Sequence, residues 1–233
     1  MTYCGKPEFG QISRSFASNS GAILLKRPKN LTQIDFPSLR SVKPDRLLEN
    51  STVLINELGI TDAKELETAE QQLTELAALD IDFQPPPYDL DYLRELHRNL
   101  FGDIYGWAGE LRSIDLVKGD TRFCSCQRIA AEATKQFESL AAANYFEGDS
   151  RQDLVAHAAE FYVELNMSHP FREGNGRVQR ILFEHMIINC GYEFSLGGIS
   201  EEEWVQANVA GMNCNYRPMR KIFDRCIKAP LAI

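Results

Sequence analysis

The 233-residue chain lacks any apolar run approaching the roughly 20 residues that a bilayer-crossing helix needs, so it carries no helical membrane span. No apolar signal stretch opens it, and no internal repeat or low-complexity tract runs through it, which excludes solenoids and arrays. Cysteine is present six times but in no pattern. The spacing is irregular and Cys124-Ser-Cys126 has no second pair, so neither a disulfide framework nor a zinc site is expected, and the thiols are read as reduced. Basic charge is also short: 25 Lys and Arg stand against 33 Asp and Glu, a net charge of −8. Residues 1–50 hold eight basic and four acidic side chains, a net +4, which leaves −12 on the remainder. An acidic body offers no broad basic face, and direct nucleic-acid binding is not expected. The reading is a soluble protein of reducing cytoplasm.

The remaining pattern is helical. Residues 1–46, rich in Ser, Asn, Pro and Lys, read as a loosely ordered leader, and 47–233 as one domain. A first helix is expected from Leu47 to Leu58, stopped by Gly59. A second, capped by Thr61, runs to Ala78 with Leu66, Leu73 and Leu76 on its buried side. After Pro85-Pro86-Pro87, the recurrence of Leu90, Leu93, Leu96, Leu100 and Ile104 marks a third. Lys118-Gly119-Asp120 is a turn signal between the extended runs 112–117 and 121–124, which predicts a β-hairpin. Helices follow at 128–143, 152–167, 175–190 (ended by Gly191), after the capping box Ser200-Glu-Glu-Glu203, and over 216–227. The fold class is all-α, a compact helical bundle with one small hairpin.

One segment concentrates chemistry: His169-Pro-Phe-Arg-Glu-Gly-Asn-Gly-Arg-Val-Gln-Arg180. Glycines around an asparagine, just ahead of a helix start, let backbone amides approach an anion at the positive end of the helix dipole. Arg177 and Arg180 leave the same helical face one turn apart and suit phosphate oxygens. His169 can take a proton near neutral pH. A turn alone would explain Gly174-Asn175-Gly176, but not the charge set around it. By contrast, His97, His157 and His185 read as core or solvated histidines.

This segment is similar to the Fic signature, H-x-F-x-(D/E)-G-N-G-R-x-x-R, with His169, Phe171, Glu173, Gly174, Asn175, Gly176, Arg177 and Arg180 at every fixed position. The stretch 96–109, the hairpin Lys118–Phe123, and Trp204 with Asn208 resemble the surrounding Fic core. The resemblance spans about residues 50–228 and implies a Fic fold and a protein adenylyltransferase. ATP would be the cosubstrate, Mg²⁺ the metal, and a Ser, Thr or Tyr hydroxyl of a target protein the acceptor. His169 would act as the base and Glu173 would hold the metal. Arg172, Gly174, Asn175, Gly176, Arg177 and Arg180 would bind the nucleotide phosphates, and Phe171 would pin the loop. The hairpin Lys118, Gly119, Asp120, Thr121, Arg122 and Phe123 would be a flap that docks the target by strand addition.

The loop leaves the cosubstrate open, since UMP- and phosphocholine-transferring relatives share much of it. A nucleotide-binding module without transfer and a plain helical protein are the rival classes. Many relatives are held inactive by a glutamate in (S/T)-x-x-x-E-(G/N), which this chain lacks in strict form. Asp45-Arg-Leu-Leu-Glu49-Asn50 comes closest and reads rather as a helix start. The resemblance therefore implies a toxin-like member restrained by a separate small antitoxin. Its expected targets are the ATPase subunits of DNA gyrase and topoisomerase IV, with a secreted effector as the alternative.

Overall fold

The computed structural model describes residues 46–119 and 121–231, so most of the expected leader, Asp45 and the hairpin's Asp120 lie outside the described residues. Among the described residues, seven α-helices and two small antiparallel strand pairs follow in the order α1 (Ala63–Leu79), α2 (Leu90–Phe101), β1 (Val117–Lys118), β2 (Thr121–Arg122), α3 (Ile129–Ala142), α4 (Arg151–Ser168), α5 (Asn175–Asn189), β3 (Tyr192–Phe194), α6 (Glu201–Met212), α7 (Arg217–Cys226) and β4 (Ile227–Pro230).

Local chemistry sets the helix starts. Asp62, not Thr61, caps α1, its carboxylate accepting from the amides of Lys64 at 3.0 Å and Glu65 at 2.9 Å. Asp89 caps α2, Ser150 caps α4, and Ser200 caps α6 through the amide of Glu203 at 3.2 Å. The helix expected over Leu47–Leu58 does not form. Asn50 adopts φ 54°, Leu47 bridges Leu54, and Ile55 donates its amide to the carbonyl of Arg46, so the segment doubles back on itself. Its β-branched Val53 and Ile55 fit that extended course.

The core is built around α4, which is buried at Leu154, Val155, Ala158, Ala159 and the consecutive Phe161, Tyr162 and Val163. Burial on all sides, rather than along one stripe, belongs to a central helix. It packs against α3, α5, α6 and α7, while α2 packs against α1 and α5. Gly211 of α6 permits a close approach to α4, because a Cβ there would lie 2.5 Å from Val163 Cγ1. The strand pair β3–β4 was not expected. Ile227, read as the end of the last helix, instead begins β4 and pairs with Phe194. In α1 the buried positions are Leu66, Glu70 and Thr74, whereas Leu76 is 62% exposed. That helix turns a partly polar face inward, and the reason lies at the site.

Candidate active site

The signature residues occupy the tight connection between the C-terminus of α4 and the N-terminus of α5. His169 closes α4 in the left-handed region, φ 41° and ψ 61°. Gly174 precedes α5 at φ 79° and donates its amide to Glu173 Oε1 at 2.9 Å. Between them the loop is locked by Asn175. Its side-chain oxygen accepts from the Phe171 amide and its nitrogen donates to the Phe171 carbonyl, both at 2.8 Å. The Asn175 side chain is thereby committed to the protein. What it leaves for a ligand is backbone: the first-turn amides of Asn175, Gly176 and Arg177, which the helical ladder does not use. At Gly176 a Cβ would meet nothing within 4 Å, so the space in front of that turn is open.

A stack of aromatic rings carries the loop. Phe171 is fully buried, with the His97 ring 4.1 Å away and Phe101 beyond it at 4.6 Å from His97. His97 is a core histidine, as its setting in the sequence suggested, but it also buttresses the loop. Its Nδ1 accepts from the Gly109 amide at 2.9 Å, so its Nε2 carries the proton and donates to the Glu173 carbonyl at 3.0 Å. Of the other two, His157 pairs with Asp149 on the surface, and His185 is buried against Tyr92.

The His169 ring lies flat on Phe123, with centroids 3.8 Å apart and planes at 15°. Phe123, expected only as part of a docking flap, thus forms one wall of the site. Desolvation lowers the His169 pKa to about 4, with the nearby Arg112 and Lys118 cations adding to the fall and the Asn166 carbonyl opposing it. Its Nδ1 is buried. His97 is also lowered to about 4, again chiefly by burial.

Both imidazoles are therefore neutral in the fold at pH values where the unfolded chain would protonate them, from 6.5 downwards. The unfolded state binds more protons across the window from 6.5 to 4, so stability is complete above it and falls with acidification through it. For the fully buried His97 alone the loss between pH 7 and 5 is roughly 2 kcal/mol. Urea midpoints should drop over that range, above most carboxylate titrations. A midpoint unchanged from pH 7 to 5 would contradict the buried neutral state.

The two signature arginines have different surroundings. Arg177 is held by α1: its guanidinium bonds Glu70 and, at 3.2 Å, Thr74 Oγ1, and lies 4.8 Å over the Phe101 ring. Glu70 also accepts from the Tyr105 hydroxyl, and Glu173 stands 3.6 Å from the same guanidinium. The polar inner face of α1 exists to meet this cation. Arg180, one turn on, is exposed and makes no hydrogen bond or ion pair among the described residues. Arg172 sits elsewhere in the loop, where its charge is felt by the buried Arg46. Glu173 is half exposed beside the free amides, a suitable single carboxylate for a hard cation that takes its other ligands from phosphate and water.

The hairpin forms at the turn expected from the sequence, with shorter strands. Val117 and Lys118 pair with Arg122 and Thr121, and Val117, Lys118 and Gly119 are exposed. Arg122 pairs with Asp115 at 3.2 Å, and Thr121 Oγ1 contacts Met212 Sδ of α6. Glu49 of the 45–50 segment is exposed at a turn, not on a helix. No helix of the described residues is long and apolar enough to cross a membrane.

Comparison with known proteins agrees with this fold. The profile of the Fic/DOC family matches residues 87–187. A probable protein adenylyltransferase Fic of Salmonella typhimurium is 39% identical over 175 residues, covering 75% of this chain and 88% of the relative. The N-terminal Fic domain of a VirB-translocated effector protein from Bartonella quintana, solved with bound ADP, superposes with a TM-score of 0.74 at 30% identity, over 82% of this chain and 97% of that one. BepC from Bartonella tribocorum, solved with bound AMPPNP, gives 0.74 at 26% identity over 83% and 100%.

Proposed function

The chain belongs to the Fic/DOC family, and from that premise we propose that it transfers AMP from ATP to a Ser, Thr or Tyr hydroxyl of a target protein. One observation carries the reading. A neutral imidazole at the end of α4 and the free amide end of α5, with two guanidiniums one turn apart, are joined by a five-residue loop. That is a base beside an anion cradle.

With Nδ1 buried, His169 takes the hydroxyl proton on Nε2 as the oxygen attacks the α-phosphorus. The bond to the bridging oxygen breaks and pyrophosphate leaves. The amides of Gly176 and Arg177 and the Arg177 guanidinium hold phosphate charge in place. Arg180 reaches the far end of the polyphosphate, and Arg172 adds positive charge to the loop. Positioning and charge neutralisation do most of the work in such a transfer. Glu173 would hold Mg²⁺ together with the phosphates, and the ion would neutralise charge on the leaving pyrophosphate. Val117 to Arg122 offer the strand edge on which an extended target segment pairs.

Regulation follows from Arg180. Exposed and unpaired among the described residues, it is the place where a carboxylate from a separate small inhibitor would sit and displace the terminal phosphate. The ATPase subunits of type II topoisomerases are the first targets to try, in the cytoplasm. Delivery to another cell is the alternative raised by relatives described as translocated effectors.

The test is direct. Purified protein, Mg²⁺ and bacterial lysate should put label from α-³²P-ATP on a discrete protein band, and none from γ-³²P-ATP. Label only from UTP would redirect the cosubstrate. ATP binding without any label would leave a binding module.

A further inference from the structure

We infer that Arg112 is the positioning residue that ties the flap to the His169 loop, so that the base and its aromatic wall move as one unit. The role assigned to the base rests on the transfer reading above.

Arg112 is 2% exposed, yet its guanidinium bonds no carboxylate among the described residues. It spends its donors on backbone carbonyls instead: Nε on His169 at 2.7 Å, Nη1 on Ile114 at 2.6 Å, and Nη2 on Cys124 and, at 3.3 Å, on Ser168. Its own amide donates to the Pro170 carbonyl at 2.9 Å. Asp115, three residues further on, is engaged with Arg122 and the Cys126 amide.

Three segments therefore close around one cation. Ile114 and Cys124 are the two legs of the flap. Ser168 and His169 offer the last carbonyls of α4, the negative end of its dipole, where a cation is favoured. Pro170 follows His169 directly, so Arg112 grips the peptide groups on either side of the left-handed residue. A non-glycine residue at φ 41° persists only where its surroundings over-determine it. The same guanidinium fixes Cys124, next to the Phe123 ring on which the imidazole lies. Backbone and ring plane of His169 are thus set by one side chain, and no lysine could reproduce the fork.

The fixed charge adds a second effect. Among the charged groups around His169, Arg112 and then Lys118 favour the neutral imidazole. Arg112→Gln removes both fork and charge, whereas Arg112→Lys keeps a charge and loses the fork.

In the AMP-transfer assay, both variants should lose about 10²-fold in kcat, the scale of a misplacement near 1 Å, with KM for ATP changed less than about threefold. The acid limb of kcat should move to higher pH in Arg112→Gln and stay in Arg112→Lys. Loss of folded fraction alone would scale kcat without moving that limb. Wild-type kcat in Arg112→Gln, or a KM for ATP that rises in step with the fall in kcat, would overturn the proposal. Histidine NMR titration provides a readout independent of transfer. The His169 midpoint should rise in Arg112→Gln even if the wild type labels no target, and an unmoved midpoint with unmoved flap amide exchange would also overturn it.

Discussion

Replacing His169 by Ala should lower AMP transfer by about 10²–10⁴-fold while ATP still binds. The imidazole is the titratable ring that opens the loop, and the nucleotide cradle is made by other groups, namely the first-turn amides of α5 and the Arg177 guanidinium. Its removal should therefore act on kcat and leave nucleotide affinity nearly unchanged. Ala at φ 41° also carries strain, so His169→Asn is the companion variant, since Asn tolerates the left-handed region. Equal losses in both variants assign the effect to the missing base. The lowered pKa sets the pH profile too. With His169 near 4, the neutral base is already fully populated at pH 6, so kcat should stay level down to about pH 5 and fall only below it. A limb centred near 6.5 would mean that the ring is solvated in the working enzyme. Wild-type turnover in His169→Ala would remove it from the mechanism.

The signature was legible in the sequence because its members are neighbours along the chain. His169 to Arg180 lie within one stretch of twelve residues, and their charge pattern needs no knowledge of the fold. The residues that hold them in place are not neighbours. Glu70 lies 107 positions before Arg177, and Arg112 lies 57 before His169. Only the packing of α1 and of the flap base brings these pairs together. For Glu70 and Thr74 a trace was present: they continue the i, i+4 row of Leu66 on a face that should have been apolar. Arg112 left no such trace, since a single arginine beside a predicted strand reads as solvated.

The fold shows the same division. Helices α2 to α7 were found where a cap or apolar spacing marks them, as at Ser200 and along Leu93, Leu96 and Leu100. The errors fall where tertiary pairing decides. Residues 47–58 were read as a helix stopped by Gly59, yet their amides bond Arg46 and, through Glu57, the carbonyl of Ile104. Strand β4 depends on β3, more than thirty residues earlier. Short strands of this kind have too little periodicity to announce themselves.

The two glycines of the signature should respond oppositely to alanine, which separates scaffold from ligand space. At Gly174 a Cβ would lie 2.3 Å from Phe101 Cζ and 2.4 Å from Cε2, and the backbone stands at φ 79°. Phe101 cannot retreat: it is fully buried, with His97 beside it and the Arg177 guanidinium above. Left-handed strain of about 1–2 kcal/mol and overpacking of about 1–3 kcal/mol should together lower stability by roughly 2–5 kcal/mol. Against a total of about 5–15 kcal/mol for a typical domain, that is a large share. Gly174→Ala should show it as a reduced urea midpoint, with ATP binding lost as α5 and its cap shift. At Gly176 nothing stands within 4 Å of the new methyl, and the position is helical, where Ala is favoured over Gly by up to about 1 kcal/mol. Gly176→Ala should keep or raise the midpoint while losing ATP affinity, because the methyl would fill the open space in front of the free amides. If Gly176→Ala bound ATP like the wild type, the phosphates would have to lie elsewhere. If Gly174→Ala kept its midpoint, the contact with Phe101 would not be the constraint that requires glycine there.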